Sequence, residues 1–452
     1  MGYTDLVTDF VQTIEYDDIP ARVIETAQDH ILDTVGVALG GNSIELGQLL
    51  VDHALATAPG SAATVIGHGQ ASTLGAAFAN GALSNVLEWD DTPGGPHHLS
   101  HPSSTIVPAS LVAAERSDAT GAEVITGYLV GVEVLSRLEL VSFPDHYFHG
   151  WHDTATYGVF GAAAAVASIL HFDEEKIRNT LGIAASFSSG MHKNNSSMTK
   201  PVHCGHAAQN GVRAALLAES GITADQSILD DENGYLAVYS PGVFEPSHLE
   251  TFADEWHMLD YGYKPFPGST FNHGPQVALL RLLEREDLDP ASVEHVSVQL
   301  DERAWENLWI TQPTDPFEAR KSPEFNLATI LRERDHTIEQ FSEAYVRDPE
   351  TRRQMEKFER VVGFDNDDFN MFGARLTVTT TDGRTIVEEE RRYSPLDVSP
   401  DRLERKFRSC AGAILPESGV TRLEQLVRSL DDQPSVAELV TLLCPGENTR
   451  HT

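Results

Sequence analysis

Apolar residues recur every three to four positions through most of the first 220 residues. Val23, Ala27, Ile31 and Val35 form one such stripe, which predicts a helix that Gly40-Gly41 brings to an end. The same period predicts further helices near 46–57, 72–88, 104–116, 121–141, 154–170, 174–187 and 205–219. Several are rich in Ala and Gly, such as Gly161-Ala162-Ala163-Ala164-Ala165, which predicts helices that approach one another closely. The character changes near Tyr261. Pro265, Pro267 and Gly268 punctuate the chain, and 293–300 then alternates apolar with polar residues, as a half-buried strand does. Residues 375–381 and 385–387 flank Asp382-Gly383, a hairpin signal. After Pro395 and Pro400 the helical period returns over 402–415, 419–430 and 436–443.

This order predicts a mostly α chain. A large all-helical domain is formed from both chain ends, residues 1–262 and 398–452, and a smaller α/β domain, 263–397, is inserted between them. There is no internal repeat and no low-complexity tract.

Charge changes what such a protein can bind. Asp and Glu number 68 against 32 Lys and Arg, a formal net charge of −36. That surface repels nucleic acid and anionic membrane. It suits a protein kept soluble in a high-salt cytoplasm, where ions screen self-repulsion. Cys204, Cys410 and Cys444 are odd in number and match neither a zinc pattern nor a disulfide framework. The first residues are polar and amphipathic and carry no signal-peptide pattern. With no apolar run of ~20 residues, a cytoplasmic location is expected.

Five segments carry candidate chemistry. Glu88-Trp89-Asp90-Asp91-Thr92 ends a helical pattern, and Pro93-Gly94-Gly95-Pro96 forces a loop before His97, His98 and His101-Pro102-Ser103. Histidine exchanges protons near neutral pH, and adjacent carboxylates orient its ring. His97 and His101 have the i, i+4 spacing of a metal-binding helix, but flanking prolines oppose a helix there. His152 lies in Gly150-Trp151-His152-Asp153-Thr154, where Asp153 or Thr154 is the expected N-cap. Lys200, in Thr199-Lys200-Pro201-Val202-His203-Cys204-Gly205-His206, stands out because only seven of 452 residues are lysine. The following proline predicts extended backbone at Lys200, at the entrance to a helix. An ammonium at a helix N-terminus makes a carboxylate site. His203 and His206 are weaker candidates, and Cys204 is expected to pack rather than react. Lys264-Pro265-Phe266-Pro267-Gly268 with His273 marks the junction between the two patterns, and Arg320 offers a bidentate carboxylate clamp. No phosphate-cradling glycine loop, dinucleotide fingerprint or Gly-x-Ser-x-Gly elbow occurs.

Taken in order, the Asp-Asp-Thr…His-Pro-Ser run, the Gly-Trp-His, the Thr-Lys-Pro-x-His-x-Gly-x-Ala-Ala run and the Lys-Pro-Phe-Pro…His run resemble the MmgE/PrpD family. That family contains 2-methylcitrate dehydratases, cis-aconitate decarboxylases and iminodisuccinate epimerases. The resemblance implies a homodimer, a helical domain with an α/β lid, and a reaction without metal or organic cofactor. It also implies site positions at Thr92, His101, His152, Lys200, Lys264 and His273, in a cleft under the lid. Three departures bear on specificity. Glu88 replaces an aspartate, the 93–100 loop is longer than in the decarboxylases, and Phe325 falls where those have a tyrosine.

The expectation is therefore a lyase for a small di- or tricarboxylate, of the 2-methylcitrate dehydratase type. His101, His152 and Lys200 are its expected catalytic residues, and Glu88, Asp91, Thr92, Lys264, His273 and Arg320 its substrate-binding residues. Glu88, Asp90 or Asp91 is expected to orient a histidine. The alternatives are decarboxylation or epimerisation of a related acid, and, in another class, a non-catalytic or metal-binding helical protein.

Overall fold

The structure is a computed structural model that describes residues 2–95, 97–240, 242–364 and 372–444. The protein is mostly helical with a small mixed sheet in its C-terminal region. It divides into two compact units, residues 1–263 with 399–452, and residues 264–398.

In the first unit the helices are α1 (Tyr3–Thr13), α2 (Ala21–Gly41), α3 (Glu45–Thr57), α4 (Thr73–Asn85), α5 (Ser103–Ser117), α6 (Gly121–Ser142), α7 (Asp145–Phe148), α8 (Asp153–Ile169), α9 (Glu174–Phe187), α10 (Thr199–Glu219) and α11 (Tyr235–Tyr239). Two short ladders accompany them. Ala63–Thr64 (β1) pairs with Gln70–Ala71 (β2), and Asp91–Pro93 (β3) pairs antiparallel with Tyr261–Tyr263 (β4). The second unit holds α12 (His273–Glu286), β5 (Val293–Leu300), α13 (Glu302–Asn307), α14 (Pro316–Ala319), α15 (Pro323–Glu333), α16 (Glu343–Arg347), α17 (Pro349–Met355), β6 (Phe358–Val362), β7 (Ala374–Thr380) and β8 (Thr385–Glu390). The chain then returns to the first unit as α18 (Pro400–Ala411), α19 (Glu417–Arg428) and α20 (Ala437–Leu443).

Small residues set the helix spacing of the first unit. α6 meets α8, and α4 and α8 both meet α10. A methyl group added at Gly81 of α4 would stand 2.8 Å from the Cys204 carbonyl of α10, and one at Gly205 would stand 2.6 Å from the Phe78 carbonyl. Those backbones are therefore at contact distance, and alanine at either position would push α4 from α10. α18 packs on α2, so the C-terminal segment completes the core begun near the N-terminus.

Three local expectations change. Lys200 is helical, not extended, because α10 begins at Thr199 and Pro201 falls in its first turn, where a missing N–H breaks no helical bond. His152 itself is the N-cap of α8, and Asp153 is the first helical residue. The predicted 72–88 helix stops at Asn85, and Glu88 turns the chain into β3 with a left-handed φ of 49°. That conformation costs a non-glycine residue about 1 kcal/mol. Pro96 of the following loop lies outside the described residues. His97 falls in a turn ahead of α5, so it shares no helix with His101.

The second unit is a four-stranded sheet of order β6-β5-β7-β8, parallel between β5 and β6 and antiparallel elsewhere. Gly383 takes φ 85° in the β7–β8 turn, as the Asp-Gly signal requires. Val296, Val298 and Leu300 of β5 and Leu376 and Val378 of β7 meet Leu279, Leu282 and Leu283 of α12 and Leu327, Ile330 and Leu331 of α15 in one core. The three cysteines are free, and no helix among the described residues is long and apolar enough to cross a membrane.

Candidate active site

In the first unit, three long helices begin at one place. The side chain of Thr154, in the first turn of α8, accepts the backbone N–H of His101, just ahead of α5, at 3.0 Å. His152, capping α8, and His203, on α10, bring their Nδ1 atoms to 3.0 Å. Ser104 of α5 donates to the Cys204 sulfur of α10. Each helix start carries the positive end of a peptide dipole and N–H groups without helical acceptors.

Lys200 sits in the first turn of α10 with its Nζ 3.3 Å from Glu88 Oε2, and both side chains are buried. Burial works against the ammonium, but the nearby Glu88 and Asp90 carboxylates outweigh it, and the lysine pKa is raised. The left-handed turn at Glu88 places a carboxylate against the lysine that continued helix would carry elsewhere.

His101 donates its Nδ1–H to the Asp91 backbone carbonyl at 2.7 Å, with Asp90 Oδ2 3.7 Å from the same nitrogen. In the neutral ring this bond makes Nε2 the proton-accepting atom. A main-chain carbonyl, rather than the side chain of Glu88 or Asp91, therefore sets the tautomer. The Asp91 carboxyl is turned inward and accepts the backbone N–H and the hydroxyl of Ser103 at 3.0 and 2.6 Å. Burial, then the charge of Asp90, push its pKa up to about 7 against the two Ser103 bonds. Thr92 is buried in β3 opposite Gly262.

His152 is 2 % exposed. Burial, then His203 and Lys200, hold its imidazole well below its usual range. Burial and Lys200 bring His203 down to about 4. Cys204 is fully buried and burial pushes its thiol up to about 12, which leaves it without thiolate character at neutral pH.

In the second unit Lys264, His273 and Arg320 are buried. The Arg320 backbone carbonyl accepts Ser269 N–H and the Asn272 side-chain amide, which ties it beside His273. The Tyr393 hydroxyl lies 3.2 Å from His273 Nδ1. The Arg320 guanidinium lies over the Phe317 and Phe341 rings. Phe325 is a core residue that packs with Ala319, Ala328 and Phe341.

Residues 6–247 match the description of the MmgE/PrpD N-terminal domain, and 266–432 that of the MmgE/PrpD C-terminal domain. The chain belongs to the MmgE/PrpD family. Among curated proteins it is similar to cis-aconitate decarboxylase of Homo sapiens, 29% identical over 447 residues that span 93% of this chain and 90% of that protein. It is 28% identical to cis-aconitate decarboxylase of Aspergillus terreus over 98% of this chain and 96% of that protein. The Mus musculus cis-aconitate decarboxylase is 26% identical over 97% of this chain and 93% of that protein.

For this MmgE/PrpD chain, sequence reasoning passed over the buried layer behind the 88–92 turn. Lys406 of α18 reaches Asp33 of α2 at 2.6 Å, and its ammonium lies 5.6 Å from the Trp89 ring centre. The signal was present, since lysine is rare throughout and Lys200, Lys264, Lys321 and Lys406 are all buried. His30 lies near Asp91 Oδ2 and Ser103 Oγ, at 4.0 and 3.5 Å. Asp90, Asp91 and His101 each bring one metal-type donor atom within 4.8 Å of the others. In the same cluster Asp90 Oδ2 accepts the Asn85 amide, Asp91 Oδ2 accepts Ser103, and His101 Nδ1 donates to a carbonyl.

Proposed function

We propose that the protein is a lyase acting on a small di- or tricarboxylate, by removal of water from a 2-methylcitrate-like acid. One observation carries the anion: the starts of α5, α8 and α10 meet beside the Lys200 ammonium. Converging helix dipoles and a buried cation favour an oxyanion, which the strongly acidic remainder of the chain repels.

The proton chemistry follows from the tautomers. His101, with Nδ1–H held by the Asp91 carbonyl, takes the proton α to a carboxylate on Nε2. The electron pair left behind forms the new double bond as the C–O bond breaks, and Lys200 stabilises the enolate-like charge that develops on the carboxylate. His152 lies against His203. In this reading His152 delivers the proton that the departing hydroxyl needs to leave as water. Asp91 acts through Ser103 and His101 and leaves substrate contact to Thr92. Within the second unit, Lys264, His273 and Arg320 are read as carboxylate-binding residues, and the same reading takes the protein as a homodimer working in a high-salt cytoplasm.

The curated relatives favour a second reading, decarboxylation of cis-aconitate, because each of the three named above carries that activity in its name. There carbon dioxide leaves and an imidazole protonates the resulting carbanion. Both readings share the anion site and differ in whether a base is needed. The purified protein in concentrated salt, given 2-methylcitrate and cis-aconitate separately, is followed by proton NMR and carbon dioxide release. Loss of water from 2-methylcitrate, reduced about 10²–10⁴-fold in His101→Ala, is expected. Carbon dioxide from cis-aconitate with 2-methylcitrate untouched selects the second reading. Near-wild-type turnover in both His101→Ala and Lys200→Ala overturns the assignment of these residues.

A further inference from the structure

A second histidine cluster lies outside the site just described. His98 is 3 % exposed, and its Nδ1 lies 3.1 Å from Glu139 Oε2. Glu139, itself buried on α6, also accepts the Leu99 and Ser100 backbone N–H groups and the Ser100 and Tyr261 hydroxyls. So many donors fix that carboxylate, and it in turn fixes the His98 ring. The other ring nitrogen, Nε2, points toward His257 and Asp260. It lies 3.7 Å from Asp260 Oδ2, an ion-pair distance too long for a hydrogen bond. Across the cluster His257 Nδ1 lies 2.8 Å from the same Oδ2, and the two imidazoles stand 5.6 Å apart. Among the described residues the Nε2 atoms of both His98 and His257 are buried and have no hydrogen-bond partner.

We propose that His98, His257 and Asp260 form a binding site for a divalent transition-metal ion of the zinc class. A donor atom from each lies within 4.8 Å of the other two. A tetrahedral ion with bonds of about 2.0–2.1 Å holds its ligands roughly 3.3 Å apart, so the present 2.8 and 3.7 Å separations bracket the required spacing. Two imidazoles and one carboxylate suit zinc, nickel or copper rather than the all-oxygen sets of calcium or magnesium. The Glu139–His98 pair is the outer carboxylate that such sites use to set the ring tautomer. Asp260 is half-exposed, which leaves an entry path and room for water at the remaining position. A simple imidazolium–carboxylate arrangement would account for His98 Nδ1 on Glu139 and His257 Nδ1 on Asp260, but it leaves the buried His98 Nε2 without a hydrogen bond.

The ion acts on the loop, not on substrate. His98 lies three residues before His101, and the backbone carbonyl of Asp260 accepts Gly94 N–H at 2.7 Å. Tyr261, next in sequence, begins β4, which pairs with Asp91–Pro93. An ion here ties residues 98–101 to the strand that supports the 91–93 turn, independently of which reaction the protein performs.

The test uses the full chain, stripped with chelator and kept in concentrated potassium chloride to suppress diffuse binding to the acidic surface. Zinc is titrated by calorimetry and cobalt(II) by visible absorbance, in wild type and in His257→Ala, Asp260→Asn and His101→Ala. Expected are one saturable equivalent, a tetrahedral cobalt spectrum, affinity reduced at least ~10-fold in His257→Ala and Asp260→Asn, and unchanged affinity in His101→Ala. His257 and Asp260 reach the surface, so both substitutions preserve the fold, which circular dichroism checks. Absence of a stoichiometric site, or binding that survives His257→Ala and Asp260→Asn, overturns the proposal.

Discussion

The Asp91 backbone carbonyl accepts His101 Nδ1–H at 2.7 Å while the Asp91 carboxyl takes both donors of Ser103. One residue thus clasps the chain on either side of Pro102 and fixes both the position and the tautomer of the histidine. Ser103→Ala removes the hydroxyl from a buried carboxyl. It is expected to lower stability by about 1–3 kcal/mol, read by denaturant unfolding, and to lower kcat more than it changes KM. A stability and kcat equal to wild type would show that the clasp is dispensable.

Lys200 and Glu88 are a buried pair, so each alone is worse than neither. Lys200→Met or Glu88→Gln is expected to cost about 3–5 kcal/mol, because each breaks a buried ion pair. The double variant recovers most of that stability and none of the activity. Additive losses in the double-mutant cycle would mean the two groups do not couple.

Asp91 sets one limb of the pH dependence. Its folded pKa of about 7 lies above the ordinary carboxylate value of 3.8, so between those values the folded protein holds a proton that the unfolded chain has released. This group's contribution is therefore full below about pH 4 and is lost as the pH rises toward 7. Asp91→Asn has no such dependence. Its Tm relative to wild type is expected to climb from pH 4 to 7 and level off above, and a pH-independent difference contradicts the assignment.

His203 has the opposite sign. Its folded value of about 4 lies below the ordinary 6.5, so the stability from keeping it neutral is present above 6.5 and is lost as the pH falls toward 4. His203→Gln is expected to flatten the acid limb of the Tm profile over that window, as scanning calorimetry would read.

A net charge of −36 predicts a strong dependence on ionic strength. Raising potassium chloride from 0.1 to 1 M shortens the screening length from ~10 to ~3 Å and relieves self-repulsion, so Tm should rise across that range. A flat Tm in the same titration would mean that surface repulsion does not limit stability.

Periodicity was enough to read α2, most of the helices from α3 to α10, strand β5 and the β7–β8 hairpin, because each buries one face and repeats at a fixed interval. The short β3–β4 ladder was not legible. Its three-residue strands lie far apart in sequence and carry no repeat, and only folding pairs them.

By itself the sequence determined the helical period, the family and the residue types available for proton transfer, since these depend on local order and motif. Tertiary packing decided which group each residue meets. Lys406 finds Asp33 373 positions away, Glu139 grips His98, and Asp91 turns its carboxyl inward and offers its backbone to His101. A side chain's chemical type is written in its codon. Its partner depends on which helix surfaces can approach closely enough to bury it, and that is a property of the whole fold.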